Sequence, residues 1–471
     1  MTELRIRSEK LLLLIVVIAI LMDSMDASIV NIALPSIASD LNTDTASASW
    51  VIVAYLMVLA GLILLFGRIA DMGAIRKVFV YGFGIFTVAS LMCGISATLE
   101  MLLVSRVLQG VGGAMLAAAA PMLCVKYMPR SKLGISLSVV TLGSSVGYAL
   151  GPSLGGFLTE IISWHWIFLI NVPIGLAAIP LALYAIPKDG AVEKKSVDVL
   201  GALLLFSSIA IGIYALETAG DPARGSDALL AGVSCIILLI IFIIHELRNR
   251  KPIIDVRVFK DLKFNFVFLA FLLFSIAYAG TFYLLPFYMS LVLGLSPGIS
   301  GIYLLIPSVI TGLTCILFGR LSDLYGKRWF AVAACLSIVS YNAVMWFMVP
   351  ENGRWMLIPI TILMGLSWGF AGGPMAGRIV EHAPEGHRGI ASSVMALSTY
   401  LGAGIGTALF AAVFSFASGA PGKSFALLTV YEFSGGFSMA VLLGLTIAAM
   451  AAFLSFMIKD SDGLGNLKDM D

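Results

Sequence analysis

The chain has 471 residues, of which 60% are hydrophobic and only 12% are charged. A soluble globular domain carries about 25% charged residues, so this composition excludes an ordinary water-soluble fold. The formal net charge is only +2, and we expect no nucleic-acid partner.

Apolar runs long enough to cross a membrane recur along the whole chain. A bilayer core about 30 Å thick needs about 20 such residues in a helix. The first run, Leu11–Leu34, is too long for the apolar core of a signal peptide, so we predict a retained span. Fourteen spans are predicted near residues 11–34, 47–67, 77–96, 101–122, 134–158, 165–186, 197–217, 228–246, 264–290, 299–319, 329–349, 355–377, 389–416 and 436–458.

The distribution of basic residues predicts the orientation of these spans. Fourteen spans place both termini on one side of the membrane. That side carries 25 of the 29 Lys and Arg residues, against three on the other, while Arg106 falls within a span. Because cytoplasmic loops are enriched in Lys and Arg, we predict a multi-pass protein of a prokaryotic cell membrane. It would lie in the lipid bilayer with both ends in the cytoplasm.

Catalytic and metal chemistry have little support in the sequence. The five cysteines sit singly in apolar stretches, without metal-ligand or redox spacing. No phosphate-binding motif of the type G-x-x-x-x-G-K-[ST] occurs. We therefore expect no cofactor, no metal and no enzymatic activity, and we expect an ion gradient to supply the energy.

A short motif recurs after the second and the tenth predicted spans. The first copy is GRIAD at Gly67–Asp71, and the second is GRLSDLYGKR at Gly319–Arg328. Such duplication is expected of transporters made from parallel repeats. We predict two six-helix halves, residues 1–187 and 264–471, with two additional spans and a basic linker in residues 188–263.

Four further motifs lie on the first, fourth, fifth and sixth spans. They are DASIVNIALP at 26–35, LLVSRVLQGVGG at 102–113, GSSVGYALGPSLGG at 143–156 and WHWIFLINVPIG at 164–175. Together with the repeated loop, they make the chain resemble the major facilitator superfamily, and specifically its fourteen-span drug:proton antiporter branch. The resemblance implies an all-α membrane protein of the major facilitator fold, with two additional transmembrane helices.

The resemblance also implies a conformational latch in the two repeated loops. Solvated loop charges are the alternative explanation for the acidic residues there. The N-terminal copy departs from the family pattern, with Ala74 where a glycine is expected and Gly73 one place early, which leaves the local turn open. The residues that match the latch motif are Gly67, Asp71, Arg76, Gly319, Asp323, Gly326 and Arg328.

The fifth span carries a glycine at every fourth position, which strips side chains from one helix face. Static tight packing is one explanation. The resemblance implies another, a sliding or bending contact between the two halves that seals one conformation. The residues of this motif are Gly143, Gly147, Gly151, Pro152, Gly155 and Gly156.

Three charged side chains are predicted well inside the membrane, namely Asp23, Asp26 and Arg106. A charge at mid-bilayer costs at least about 2.5–3.5 kcal/mol, so these groups must pair or face a wet cavity. The two aspartates are three residues apart and share a helix face. A rise of about 1.5 Å per residue brings Asp26 and Arg106 to similar depths. We predict that Asp26 carries the proton under the control of Arg106, and that Asp23, with Gln109, contacts cationic substrates.

Aromatic residues crowd the second half, at Phe274, Tyr278, Phe282, Tyr283, Phe287, Tyr303, Tyr341 and Trp346. Most such residues face lipid or the core, but an aromatic cavity would suit bulky lipophilic cations through cation–π contact. We assign Tyr278, Tyr283, Tyr303 and Trp346 to the substrate site.

The leading hypothesis is a proton-coupled antiporter that exports hydrophobic or cationic small molecules by alternating access, as a monomer. Export or flipping of one lipid or metabolite on the same fold is the alternative within transport. A passive facilitator or channel is the alternative from another class. An intramembrane enzyme built on His165 or His245 lacks ligand spacing and a nucleophile arrangement.

Overall fold

The computed structural model describes residues 9–129, 133–189, 198–249, 252–254, 256–348, 353–382 and 388–458. Within these ranges the chain is helical, with loops and short turns between the helices and no strand. The helices are α1 Glu9–Asp40, α2 Thr45–Ile69, α3 Ile75–Gly94, α4 Leu99–Tyr127, α5 Leu133–Ile161, α6 Trp166–Leu169, α7 Asn171–Ala185, α8 Val199–Thr218, α9 Gly225–Arg248, α10 Leu262–Leu291, α11 Pro297–Tyr325, α12 Lys327–Trp346, α13 Gly353–Glu381, α14 Arg388–Ala417 and α15 Val430–Met457.

Several helices begin at a polar residue whose side chain accepts a backbone N–H of the first turn. This bond satisfies a donor that has no partner within the helix. Thr429 forms a full capping box with Glu432 at the start of α15. The other capping residues are Asp44, Thr98, Asp198, Asp261 and Ser296.

Twelve helical segments in the described ranges are long and apolar enough to cross a membrane. One of them is the 50-residue run Thr45–Gly94, which contains both α2 and α3. The 29-residue helix α5 is a further long helix beyond these twelve.

The helices run back and forth between two faces of the bundle. We call the face where α1 begins the basic face, and the other the opposite face. At the basic face, the Asp189 carboxylate accepts the backbone N–H of Arg76 at 2.9 Å, which joins the end of α7 to the start of α3. At the opposite face, Trp164 Nε1 donates to Asp40 at 2.9 Å, which joins the α5–α6 connection to the end of α1.

The N-terminal helices α1–α7 and the C-terminal helices α10–α15 form two packed groups. In the first, α1 packs on α5, and α4 packs on both α2 and α3. In the second, α10 packs on α14 and α15, while α13 packs on α11 and α12. The groups meet where α5 packs on α11 and where α2 packs on α14.

The two helices between these groups lie along the second of those contacts. Helix α8 packs on α2 from the first group and on α14 from the second. Its Phe206 fills the space beside Gly61 on α2, and its Ile213 approaches Gly404 on α14. Helix α9 packs on α8, and most of its apolar side chains are exposed. Such a helix is suited to lipid on its outer side.

The turn between α2 and α3 shows which residue of the N-terminal motif copy makes the bend. Residues Ala70–Ala74 form a π-helical turn, and Gly73 inside it has a φ of 104°. This left-handed backbone is readily available only to glycine. The glycine that stands one place early in the motif therefore makes the turn, and Ala74 does not need to. In the second copy, Gly326 ends α11 with a φ of 93°.

The two groups are joined at the opposite face. Tyr283 on α10 donates to the carbonyl of Thr45, and the backbone N–H of Phe425 donates to the carbonyl of Thr43 at 3.0 Å. The Glu160 carboxylate accepts the N–H of Gly298 at 2.7 Å and the Ser296 hydroxyl at 2.9 Å.

Burial of the side chains also decreases along α2 toward the basic face. Every residue of Val51–Gly61, in the middle of the helix, is buried. Every residue of Leu62–Ile69, toward the basic face, is partly exposed. Contacts between the two groups therefore close the bundle at the opposite face, and α2 is more exposed toward the basic face.

Candidate functional site

The first group of helices encloses a pair of opposite charges. Asp26 on α1 and Arg106 on α4 are 0% and 1% exposed, and Arg106 Nη1 lies 2.6 Å from Asp26 Oδ2. Arg106 Nε also donates to the carbonyl of Val51 on α2 at 2.7 Å. The pair therefore ties three helices together in a place that solvent does not reach.

Amide and hydroxyl groups complete the surroundings of this ion pair. Gln109 Nε2 donates to Asp26 Oδ1 at 2.8 Å and to Ser90 Oγ at 2.9 Å. Its carbonyl oxygen accepts Arg106 Nη1 at 2.6 Å, and Asn171 Nδ2 adds a third bond to Asp26 at 3.3 Å. Such a network stabilises a buried carboxylate because its oxygens accept hydrogen bonds from several donors.

Gln109 belongs to this network in the present conformation. Its side chain is 0% exposed and its amide is committed to Asp26, Ser90 and Arg106. The assignment of Gln109 to the substrate site stays a prediction, and its polar atoms are engaged by the ion pair here.

Asp23 lies beside the ion pair with a partner of its own. It is 4% exposed and accepts the hydroxyl of Tyr55 on α2. The Arg106 guanidinium carbon stands 4.4 Å from the centre of the Tyr55 ring, so Tyr55 touches both charged groups. A Cβ on Gly113 would lie 2.6 Å from the Tyr55 hydroxyl and 3.2 Å from Asp23. The glycine of the α4 motif therefore makes room for this contact.

The C-terminal group contains a cluster of aromatic rings. Phe274, Tyr278 and Phe282 stack in sequence along α10, with centroids 6.4 Å and 5.9 Å apart. Trp368 on α13 meets Phe274 and Tyr278 edge-on at 5.3 Å and 5.7 Å. Tyr278 and Trp368 are both partly exposed, so part of the ring surface of this cluster is accessible.

The other predicted aromatic residues lie elsewhere. Tyr283 is fully buried and bonds to Thr45 at the opposite face, so it joins the two groups and does not line a cavity here. Trp346 is the last residue of α12 and is 45% exposed. Tyr303 on α11 is partly buried against the main core. Sequence reasoning missed Tyr55 and Trp368, although an aromatic residue in the middle of an apolar span is a usable signal for both.

The glycine stripe of α5 faces a different neighbour from the one the resemblance implied. A Cβ on Gly147 would lie 2.8 Å from the Leu21 carbonyl, and one on Gly151 would lie 3.0 Å from the Ile29 nitrogen. Both neighbours belong to α1, within the same group of helices. The prediction that this stripe lies between the halves is therefore wrong.

The contact between halves on α5 comes from the adjacent residues of the motif. The carbonyl of Pro152 lies 2.5 Å from a Cβ built on Gly301 of α11. A Cβ on Gly156 would clash with the backbone of Pro297. A side chain on either glycine would push α5 and α11 apart, so close backbone approach joins the two groups at this point.

The predicted latch residues are only partly engaged. Asp71 is exposed, and a Cβ on Gly67 or Gly319 meets nothing within 4 Å, so packing in this conformation does not require those glycines. Arg76 donates to the carbonyl of Leu183 at 2.6 Å.

In the second copy of the loop, the Arg328 guanidinium carbon lies 4.5 Å from the Phe456 ring centre. The neighbouring Lys327 pairs with Glu381. The side chain of Asp323 lies outside the described set.

A membrane-spanning bundle of two packed groups of helices, one of which encloses a charged cluster, has the architecture of a transporter. Comparison with known proteins gives the family. A model of the Major Facilitator Superfamily matches residues 16–407. The chain belongs to the major facilitator superfamily, as the resemblance implied.

Relatives and solved structures agree with this class. The riboflavin transporter RibZ of Clostridioides difficile (strain 630) is 28% identical over 86% of this chain and 88% of its own. MdtD of Escherichia coli O81 (strain ED1a), named for multidrug resistance, is 31% identical over 74% of both chains.

Two solved structures share the fold. A bacterial homologue of the human lysosomal transporter Spinster has a TM-score of 0.67 at 15% identity and covers 97% of this chain and all of its own. The nucleoside transporter NupG has a TM-score of 0.62 at 14% identity, over 95% of this chain and 99% of its own. The protein is thus a multi-pass transporter of the bacterial cell membrane.

Proposed function

We propose that the chain is a proton-coupled antiporter that exports lipophilic or cationic compounds by alternating access. The observation that carries this proposal is the enclosed pair of Asp26 and Arg106 next to the carboxylate of Asp23. A buried ion pair is expensive unless it is well bonded, and membrane-buried carboxylates are characteristic of proton pathways. One chain contains all of these groups, so a monomer suffices as the transporting unit.

Fourteen spans with both ends in the cytoplasm form part of this proposal. The run Thr45–Gly94 has 50 residues, about 75 Å of helix, which is far more than a core of about 30 Å needs. The sharp turn at Gly73 divides it into two spans. Adding this division and helix α5 to the twelve segments gives fourteen. The concentration of Lys and Arg then makes the basic face cytoplasmic.

The state of the bundle suggests when the proton moves. Asp26 is fully enclosed, and the bundle is sealed at the face that would point outward. A proton from outside would therefore reach Asp26 only after the two groups of helices separate there. Protonation would neutralise Asp26 and weaken its bond to Arg106. Release of the proton toward the basic face would restore the ion pair of the conformation described above.

Substrate would bind between the charged cluster and the aromatic cluster. Asp23 offers a negative charge, and Tyr278 and Trp368 offer ring faces and edges, which together suit an organic cation. Relatedness to MdtD supports multidrug export, while relatedness to RibZ supports one specific metabolite. Both substrates are compatible with a carrier, and neither relationship supports a channel.

The decisive experiment for this function is a transport panel in proteoliposomes. Purified protein is reconstituted with a pH-sensitive dye inside and challenged with lipophilic cations, neutral drugs and riboflavin. Substrate-induced proton movement with several unrelated cations supports the proposal. Proton movement with a single metabolite supports the specific exporter, and counterflow without proton movement supports a facilitator.

A further inference from the structure

A second cluster of polar side chains lies at the basic face, away from the proposed transport site. Asp198 caps the start of α8 and accepts the N–H of Gly201 at 2.8 Å. It also faces His245 Nε2 at 2.8 Å and accepts Asn249 Nδ2 from the end of α9. Three neighbouring groups therefore converge on the Asp198 carboxylate.

Glu246 adds a second carboxylate that points at the first. It is 2% exposed, and its Oε2 accepts the backbone N–H of Ile254 at 3.1 Å. Its Oε1 is buried without a hydrogen-bond donor. A Cβ built on Gly201 would touch both Glu246 Oε1 and Asp198 Oδ2, so the two oxygens are neighbours. Two facing carboxylate oxygens need a positive charge between them, which is either a shared proton or a cation.

We propose that Asp198, His245 and Glu246 bind one divalent transition-metal ion of the zinc class. Each offers a ligand atom, and these atoms all lie within 4.8 Å of one another. Small side-chain rotations would bring them to the distances of about 2.0–2.2 Å that zinc requires. On binding, the imidazole proton shifts from Nε2 to Nδ1, and Nε2 coordinates the metal. A nitrogen ligand with two carboxylates favours such an ion over Mg²⁺ or Ca²⁺.

The surroundings fit an ion that enters from the cytoplasmic solution. The His245 side chain is 27% exposed, which leaves a route to the site. The backbone of Gly201 and the amide of Asn249 orient the Asp198 ligand, as hydrogen-bonded neighbours of metal ligands commonly do. Sequence spacing did not predict this site, because Asp198 lies 47 residues before His245 in the chain. Glu246 directly follows His245.

A bound ion is expected to restrain the helices that it joins. The ligands join the start of α8 to the end of α9, and Glu246 also holds Ile254 in the segment that leads to α10. Because α8 packs on both α2 and α14, an ion here would brace the additional helices against both groups.

The test uses the full-length protein in detergent, with any affinity tag removed and metals stripped with a chelator. Zinc content and the melting temperature are measured after addition of ZnCl₂ or MgCl₂. Wild-type protein should bind one Zn²⁺ per chain with a higher Tm, and Mg²⁺ should have no effect. His245→Gln and Glu246→Gln should each weaken Zn²⁺ binding by at least about tenfold. Glu217→Gln, at the other end of α8, should bind as wild type.

Three results would overturn the proposal. The first is no stoichiometric uptake of Zn²⁺ by the wild-type protein, which would leave the shared proton as the explanation. The second is binding by the two ligand variants as tight as that of wild type, which would indicate adventitious surface binding. The third is a loss of affinity in Glu217→Gln as large as in the ligand variants.

Discussion

The two groups of helices share one fold but carry different chemistry. Helices α1–α7 enclose Asp23, Asp26 and Arg106, all at most 4% exposed. In α10–α15 the interior of the spans has no such charged cluster among the described residues, and it contains the stacked rings of α10 with Trp368. Under the proposed function, the first group would handle the proton and the second would supply ring surface for the substrate.

Each group also contains a buried arginine, and the two arginines bind different groups. Arg106 pairs with a carboxylate. Arg378, which is 2% exposed, donates to the carbonyls of Ser455 at 3.2 Å and Ile458 at 2.7 Å, at the end of α15. A cation at a helix C-terminus stabilises the exposed carbonyls there. Arg378 therefore binds the end of α15, whereas Arg106 pairs with a buried carboxylate.

The largest effect is expected from Arg106→Leu. It leaves the buried Asp26 carboxylate without its positively charged partner, which typically costs about 3–5 kcal/mol. Both thermal stability and transport should therefore be lost. The double variant Arg106→Leu with Asp26→Asn removes both charges and should recover stability without transport. Tm measured by fluorescence-detected size exclusion reports the first property, and dye efflux from cells the second. Equal stability of the single and double variants would contradict the coupling.

The next effect concerns packing within the first group. A leucine at Gly147, Gly151 or Gly155 should separate α5 from α1 and abolish transport, because overpacking at such contacts costs about 1–3 kcal/mol or more. Gly143→Ala is the matched control, since its Cβ would lie 3.4 Å from Val17, an ordinary contact. Transport and surface expression are measured together. Normal export by all three leucine variants would rule out tight α1–α5 packing as a requirement.

Asp23→Asn should weaken the binding of cationic substrates more than the binding of neutral ones. The amide still accepts the Tyr55 hydroxyl, so the fold is retained, but the negative charge is gone. Affinity for cationic drugs should fall about tenfold, which corresponds to about 1.4 kcal/mol, with little change for neutral drugs. Direct binding to the detergent-purified protein measures this. An equal loss for both substrate types would assign Asp23 to structure.

The smallest effect tests the aromatic side of the comparison. Trp368→Leu should weaken binding of aromatic drugs by about 0.5–1.5 kcal/mol, the value of one aromatic contact beyond burial, while proton movement per substrate stays unchanged. Trp346→Leu is the matched control at an exposed position. If Trp346→Leu weakens binding more than Trp368→Leu, the cluster around Trp368 is not the substrate surface.

Sequence reasoning could predict depth and periodicity but not which direction a helix face points. Charged residues and basic loops are one-dimensional signals, so the helical spans and the similar depths of Asp26 and Arg106 were accessible. The glycine stripe of α5 revealed a close contact but not its partner, which is α1. No signal in the sequence indicated that the Gln109 amide would bond to Asp26, because that contact joins α4 to α1. Trp368 and the cluster of Asp198, His245 and Glu246 depend on contacts between distant segments that spacing does not encode.

The central claim is that Asp26 couples protons while substrate binds elsewhere, and one measurement tests it directly. Proteoliposomes with Asp26→Asn are assayed for substrate-induced proton movement and, in the same preparation, for substrate counterflow; Asp227→Asn, at an exposed carboxylate of α9, is the control. We predict that Asp26→Asn retains counterflow and loses substrate-induced proton movement, while Asp227→Asn keeps both. Proton movement that persists in Asp26→Asn would contradict the account.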